Sequence, residues 1–117
     1  VLARGRYLTE ALAHCAECHS GRDLFGGIRV TQRYAGGPDL EGDGFVPNIT
    51  QHESALGKWS VKDIDYLLER GALPDGDYVG GSMADVVSNM AELPAADRAA
   101  IAAYIKSLPA LPTSPKK

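Results

Sequence analysis

No apolar run in the sequence approaches the roughly 20 residues that a membrane-spanning helix needs, and no block of like charge is long enough to form a nucleic-acid-binding arm. Neither a membrane span nor DNA binding is expected. Large apolar side chains are scarce as well: Leu, Ile, Val and Phe together number 26, against 16 Ala and one Trp. Burial contributes roughly 25 cal/mol per Å² of apolar surface, and small domains short of large side chains recruit a disulfide, a metal or another staple. Something besides side chains is expected to complete this core. With 117 residues there is chain for one domain and not for a second core. The chain opens Val1-Leu2-Ala3, with neither an initiator Met nor a signal-peptide pattern, so a processed mature chain or an excised domain is expected. The net charge of −3 is concentrated in residues 34–57, which carry Asp39, Glu41, Asp43 and Glu53 and no Lys or Arg.

Periodicity predicts an all-α chain with long loops. Leu8, Ala11, Leu12 and Cys15 share one face of a helix over 4–15. Residues 20–57 lose periodicity and hold eight of the thirteen glycines, too long a structureless connection for a compact domain unless it wraps a ligand. A second helix is signalled by Ser60 as N-cap, Asp63 at N3, and a Trp59–Ile64 hydrophobic staple, with Val61, Ile64, Leu67 and Leu68 facing inward. Gly71 suits its end, and Leu73-Pro74-Asp75-Gly76 has the residues of a type I turn. A short helix over 84–89 follows, then a last helix opening with Pro94 at N1 and carrying Ile101, Tyr104, Ile105 and Leu108 on one stripe. The domain is drawn over 1–112 and a frayed tail over 113–117.

Cys15-Ala16-Glu17-Cys18-His19 has the Cys-x-x-Cys-His spacing that attaches a c-type haem. Two sulfurs three residues apart can reach both vinyl groups of one porphyrin, and the adjacent imidazole is carried beneath the iron. A disulfide, a thioredoxin-like pair and a zinc site are the competing readings. The redox pair wants a βαβ setting and zinc wants further ligands, whereas His14 and His52 are isolated. Asp39-x-Glu41-x-Asp43-Gly44 begins like a calcium loop, but position 12 falls on Thr50 where a bidentate Glu is needed, leaving a solvated acidic turn.

With the motif in this order of elements the chain resembles class I c-type cytochromes. Pro47-Asn48-Ile49-Thr50, Lys58-Trp59-Ser60 and Gly80-Gly81-Ser82-Met83 make it most similar to the cytochrome c domains of periplasmic dehydrogenase complexes, such as alcohol and gluconate dehydrogenases. The resemblance implies a class I cytochrome c fold around one haem c held through Cys15 and Cys18, with His19 as one axial ligand and a loop Met83 as the other. Met90 is the alternative, better suited to core filling, and His52 the outside candidate. The resemblance further implies that a proline carbonyl, Pro47 or else Pro38, receives the second ring N–H of His19, and that Trp59 and Thr50 reach the haem propionates. Asn48-Ile49-Thr50 is also a formal glycosylation sequon, read here as part of the haem-pocket loop. Gly5 and Tyr104 resemble the contact by which the terminal helices cross.

The implied function is one-electron transfer and not catalysis, on the periplasmic side of a bacterial membrane. The partners are a dehydrogenase donor and an oxidase or other cytochrome acceptor, and association with a membrane complex fits. The acidic 34–57 segment would suit a basic partner surface. A haem sensor with a displaceable sixth ligand is the second reading. A peroxidase ranks last, because no distal acid–base pair is identifiable.

Overall fold

Gly5 decides how the two ends of the chain meet. In the computed structural model, which describes residues 2–38 and 44–114, it lies buried in helix α1 (Leu2–Tyr7). A Cβ at this position would stand 2.1 Å from the Ala100 carbonyl oxygen and 2.9 Å from Tyr104 Cβ, so glycine alone lets α1 touch the backbone of the last helix. That helix, α5 in chain order (Ala95–Lys106), presents small buried residues, Ala100 and Ala102, beside buried Ile101 and Ile105. Arg4 bonds Asp97 through both carboxylate oxygens at 3.2 Å, but an ion pair this exposed to solvent is screened and adds little. Packing, not charge, holds the crossing.

The helix expected over 4–15 does not run through to the cysteines. After Tyr7 the chain makes a π-helical turn, Leu8–Leu12, and His14 then adopts a left-handed backbone (φ 55°, ψ 39°) that interrupts the helix. L-residues enter that region at a cost of roughly 1–2 kcal/mol and do not propagate it, so Cys15–Cys18 starts afresh as a single helical turn, α2. The cysteines therefore begin their own element and do not end the first helix.

The described residues of 20–57 fold back on the end of α2, where Gly36 N–H donates to the His19 carbonyl (2.8 Å). Arg22 and Ile28 pair across a tight hairpin whose tip exposes Leu24 and Phe25, and a 3₁₀ turn follows at Val30–Gln32. Strand β1 (Gly37–Pro38) pairs antiparallel with β2 (Phe45–Val46), in register Gly37 with Val46. A Cβ on Gly37 would stand 2.1 Å from the Ser20 carbonyl oxygen, so this ladder lies directly on the backbone leaving the motif. The acidic turn at Asp39, Glu41 and Asp43 falls outside the described residues.

Helix α3 (Val61–Arg70) starts as its sequence predicts. The Asp63 N–H donates to Ser60 Oγ (3.1 Å) and the Ser60 N–H donates to Asp63 Oδ2 (2.9 Å), satisfying two donors that a bare helix end leaves open. Ile64 and Leu68 are buried, Leu67 is half-buried, and Val61, expected on the same face, is exposed in the first turn. Gly71 ends the helix in the left-handed region (φ 73°), and Gly76 N–H closes the predicted turn on Leu73 O (2.9 Å). The short helix α4 runs Ser82–Met90. Pro94 precedes α5 as its cap instead of occupying the first helical position: its extended ψ of 142° lets its carbonyl accept the Asp97 and Arg98 N–H groups. Thr113 and Ser114, drawn in the tail, are held by the domain. Ser114 is buried and its N–H donates to Ala35 O (3.0 Å), while Thr113 Oγ1 accepts from Asn48 Nδ2 (3.2 Å).

Among the described residues no helix is long and apolar enough to cross a membrane. The core joins the π-helical turn, α3 and α5 through Leu8, Ile64, Leu68, Ile101 and Ile105, and Trp59 packs against it. Each fully buried Leu or Ile contributes about 1.5–3 kcal/mol, and among the described residues those buried are Leu8, Ile64, Leu68, Ile101, Ile105 and Leu108.

Candidate haem-attachment site

The site is built on α2. Cys15 and Cys18 stand three residues apart, on one side of a single turn, and both are free thiols. Cys15 is partly buried and packs against the core, whereas Cys18 is exposed. Burial pushes the Cys15 thiol up to about 11. At neutral pH it is therefore a protonated thiol, unlike the activated thiolate of a redox-active pair.

His19 follows at the end of α2 and is buried. Its Nδ1 lies 2.7 Å from the Pro47 carbonyl oxygen. A carbonyl only accepts, so Nδ1 donates, and the tautomer that results keeps a lone pair on Nε2. Burial lowers the pKa of His19 and outweighs the opposing effect of the Pro47 bond, which holds the ring neutral at pH 7. A neutral imidazole with one nitrogen fixed and the other bearing a lone pair is the form a metal binds. Pro38, the other carbonyl considered, is exposed in β1.

The remaining sequence candidates separate by their contacts. Met83 lies in the first turn of α4, not in a loop, and is half-buried against the core. Met90 closes the same helix and lines a small apolar cavity with Leu8, Leu12, Leu93 and Ile101, while its carbonyl accepts from Arg98. His52 turns its Nδ1 to Ser54, whose backbone N–H donates to it at 3.1 Å. Trp59 is half-buried against the core. Thr50 is buried, and its hydroxyl proton has acceptors in Asn48 Oδ1 (2.8 Å) and Leu111 O (3.2 Å). That proton is engaged within the protein, so Thr50 here pins the loop behind Pro47 to the chain after α5.

Tyr34 and Glu10 are not singled out by the sequence, and Asn48 is marked there only as part of the Pro47–Thr50 motif, although the structure gives all three central contacts. Asn48 Nδ2 donates to Leu111 O (2.8 Å) while its Oδ1 accepts from Thr50. Tyr34 is almost completely buried in a left-handed conformation (φ 64°), bracing the segment opposite His19. Glu10 collects donors from three parts of the chain. Only Arg6–Glu10, an i,i+4 pair, has a local sequence signature, and it reads as ordinary helix charge pairing.

Haem c requires two thiols one turn apart, a neutral imidazole beside them and an apolar wall. Cys15, Cys18 and His19 supply the first two, and Ile28, Ile49, Trp59 and Met83, all partly buried against the core, supply apolar surface. The residues present fit the group. Among the described residues no cluster of three or more His, Cys, Asp or Glu could hold a metal ion.

Fold and motif together define a small, mostly helical domain built for covalent haem attachment. Residues 2–109 match the family model for cytochrome c, and the chain belongs to the cytochrome c family. It is 52% identical over 109 residues to a diheme cytochrome c-type protein of Cereibacter sphaeroides, a match covering 92% of this chain and 36% of that protein. It is 37% identical to the fructose dehydrogenase cytochrome subunit of Gluconobacter japonicus, over 92% of this chain and 22% of the subunit. It is 35% identical to the gluconate 2-dehydrogenase cytochrome c subunit of Pantoea cypripedii, over 92% and 26% respectively. The chain thus spans about a third or less of the length of these relatives. The class I cytochrome c fold and the similarity to dehydrogenase cytochrome domains read from the sequence both agree with these matches.

Proposed function

We propose that this chain is a one-electron transfer domain carrying one haem c through Cys15 and Cys18, with His19 and Met83 as axial ligands. Bound there, haem c supplies a one-electron iron couple. The chain's own residues bind and tune it. Pro47 fixes the His19 ring and raises the basicity of Nε2, while burial keeps that ring unprotonated. Met83 offers a soft thioether, which favours the reduced metal and raises the potential above that of two imidazoles. Met90 is assigned to packing, given its place in the Leu8–Ile101 cavity. Trp59 is assigned to a propionate, and Thr50 to holding the loop behind Pro47. By analogy with the dehydrogenase subunits, the partners are a dehydrogenase donor and a cytochrome or oxidase acceptor, and the location is periplasmic.

The observation that carries this reading is the 2.7 Å approach of His19 Nδ1 to Pro47 O beside two free thiols one turn apart. Its test is the spectrum of the matured protein. Haem resistant to acid extraction and a long-wavelength sulfur-to-iron charge-transfer band in the oxidised form are expected. Met83→Ala should abolish that band and Met90→Ala should leave it. Loss of the band only in Met90→Ala would reverse the ligand assignment, and a high-spin wild-type spectrum that changes with carbon monoxide would favour the sensor reading.

A further inference from the structure

The Glu10 carboxylate is the meeting point of three elements. Oε1 accepts from Arg6 Nε (3.1 Å) in α1, and Oε2 accepts from Arg33 Nη2 (3.1 Å), Tyr34 OH (3.2 Å) and Tyr104 OH (2.9 Å) on α5. Tyr34 links this cluster to the haem-attachment site. Its backbone N–H donates to Ser20 Oγ (3.0 Å), immediately after His19, and its carbonyl accepts the Ile49 N–H (2.9 Å), two residues beyond Pro47. Two residues further on, Gly36 N–H donates to the His19 carbonyl (2.8 Å). The left-handed backbone of Tyr34 is unfavourable for an aromatic residue, so surrounding contacts must hold it. Its phenol on Glu10 is one such contact, and the ring is otherwise sealed in the core.

We propose that Glu10 is a positioning residue for the axial histidine: by holding the Tyr34 phenol it fixes the turn whose backbone keeps the Pro47 carbonyl on His19 Nδ1. This rests on His19 being the iron ligand. Glu10 touches neither the haem-binding thiols nor the imidazole. It acts through Tyr34, and the α1–α5 crossing and the His19 hydrogen bond thereby share one anchor.

The readout is solvent exchange of the His19 Nδ1 proton in the reduced, diamagnetic holoprotein, followed by NMR. Glu10→Leu and Tyr34→Phe should each speed exchange at least about tenfold, the scale of losing one hydrogen bond to a charged acceptor. Tyr34→Phe keeps the ring in the core and so guards against a variant that merely fails to fold. Glu10→Gln retains a carbonyl acceptor for both phenols and should stay within about threefold of wild type. Ile105→Val, a core change outside the cluster, provides a control for general loss of stability. Unchanged exchange in Glu10→Leu and Tyr34→Phe, or an equal rise in Ile105→Val at matched melting temperature, would overturn the proposal. Failure of the underlying reading would look different: the wild-type His19 ring signals would lack the large haem ring-current shift, which overturns both.

Discussion

Replacing Gly5 by alanine sets two effects against each other. Alanine is favoured over glycine inside a helix by about 1 kcal/mol, so on propensity alone Gly5→Ala would stabilise α1. The new Cβ, however, would lie 2.1 Å from the Ala100 carbonyl oxygen and 2.9 Å from Tyr104 Cβ, about 1 Å inside normal contact with a backbone atom that no rotamer can move. Relief requires α1 and α5 to separate where Leu8 and Ile101 pack, at 3% and 1% exposure. Overpacking of this kind costs about 1–3 kcal/mol, and a clash with rigid backbone belongs at the upper end. The net expectation is a loss of about 2 kcal/mol, or roughly 8 °C in Tm for a domain of this size. Gly80→Ala is the matched control, since a Cβ there meets nothing within 4 Å and φ is not in the left-handed region. Thermal melts of the two holoproteins by far-ultraviolet circular dichroism decide the matter. A Tm for Gly5→Ala equal to or above wild type would mean that the terminal helices do not cross at Gly5, and the fold described above would be wrong at its main contact.

Two further outcomes follow from buried or clustered charge. Arg98, with a side chain 8% exposed, donates to Asp65 Oδ1 (3.2 Å) and to the Met90 and Leu93 carbonyls (both 3.2 Å). Arg98→Met keeps the volume and removes the donors, and should cost about 2–3 kcal/mol in denaturant titrations, seen as a lower midpoint with an unchanged m-value. Glu10 has a lowered pKa: desolvation raises it, and the bonds from Tyr104, Arg6 and Tyr34 with the Arg33 charge more than reverse this. The unfolded chain therefore binds the proton more readily, so this stabilisation is present above the ordinary carboxylate pKa and is lost as pH falls through the lower folded value. Melts between neutral pH and about pH 3 should show a steeper acid decline in wild type than in Glu10→Gln, and parallel declines would refute it.

The parts legible in the sequence are those whose cause is local. Ser60 and Asp63 cap α3 within one turn, Gly76 closes its turn within four residues, and Cys15-x-x-Cys18-His19 carries its chemistry in five. Periodicity failed where a backbone event interrupts it. Leu8, Leu12 and Cys15 still fall at helical spacing, yet the π turn and the left-handed His14 break the helix between them, and no side-chain pattern announces either event. Proline suits both a helix cap with extended ψ and the first helical residue, so sequence alone does not separate the two positions for Pro94. The anchors of residues 111–114 are remote in sequence, which no local pattern announces: Asn48 holds Leu111 and Thr113, and Ala35 holds Ser114.

The same division separates the motif from its support. His19 is announced by the two preceding cysteines, but the carbonyl that orients its ring lies 28 residues away at Pro47. What holds Pro47 there is still less local: Tyr34 reaches Ile49 through its backbone and Glu10 through its phenol, while Asn48 and Thr50 tie the same loop to Leu111. In a chain with so few large apolar residues, polar contacts of long sequence separation do the positioning that a larger hydrophobic core would otherwise provide. Each such contact orders a loop at the cost of backbone entropy, about 1–2 kcal/mol per residue, so it persists only where several converge. Glu10, Tyr34 and Asn48 are the points of convergence. Glu10 and Tyr34 have no sequence signature, because a Glu in a helix and a Tyr after an Arg are found in every kind of protein, and the Pro47-Asn48-Ile49-Thr50 motif marks the loop of Asn48 without naming its remote partners.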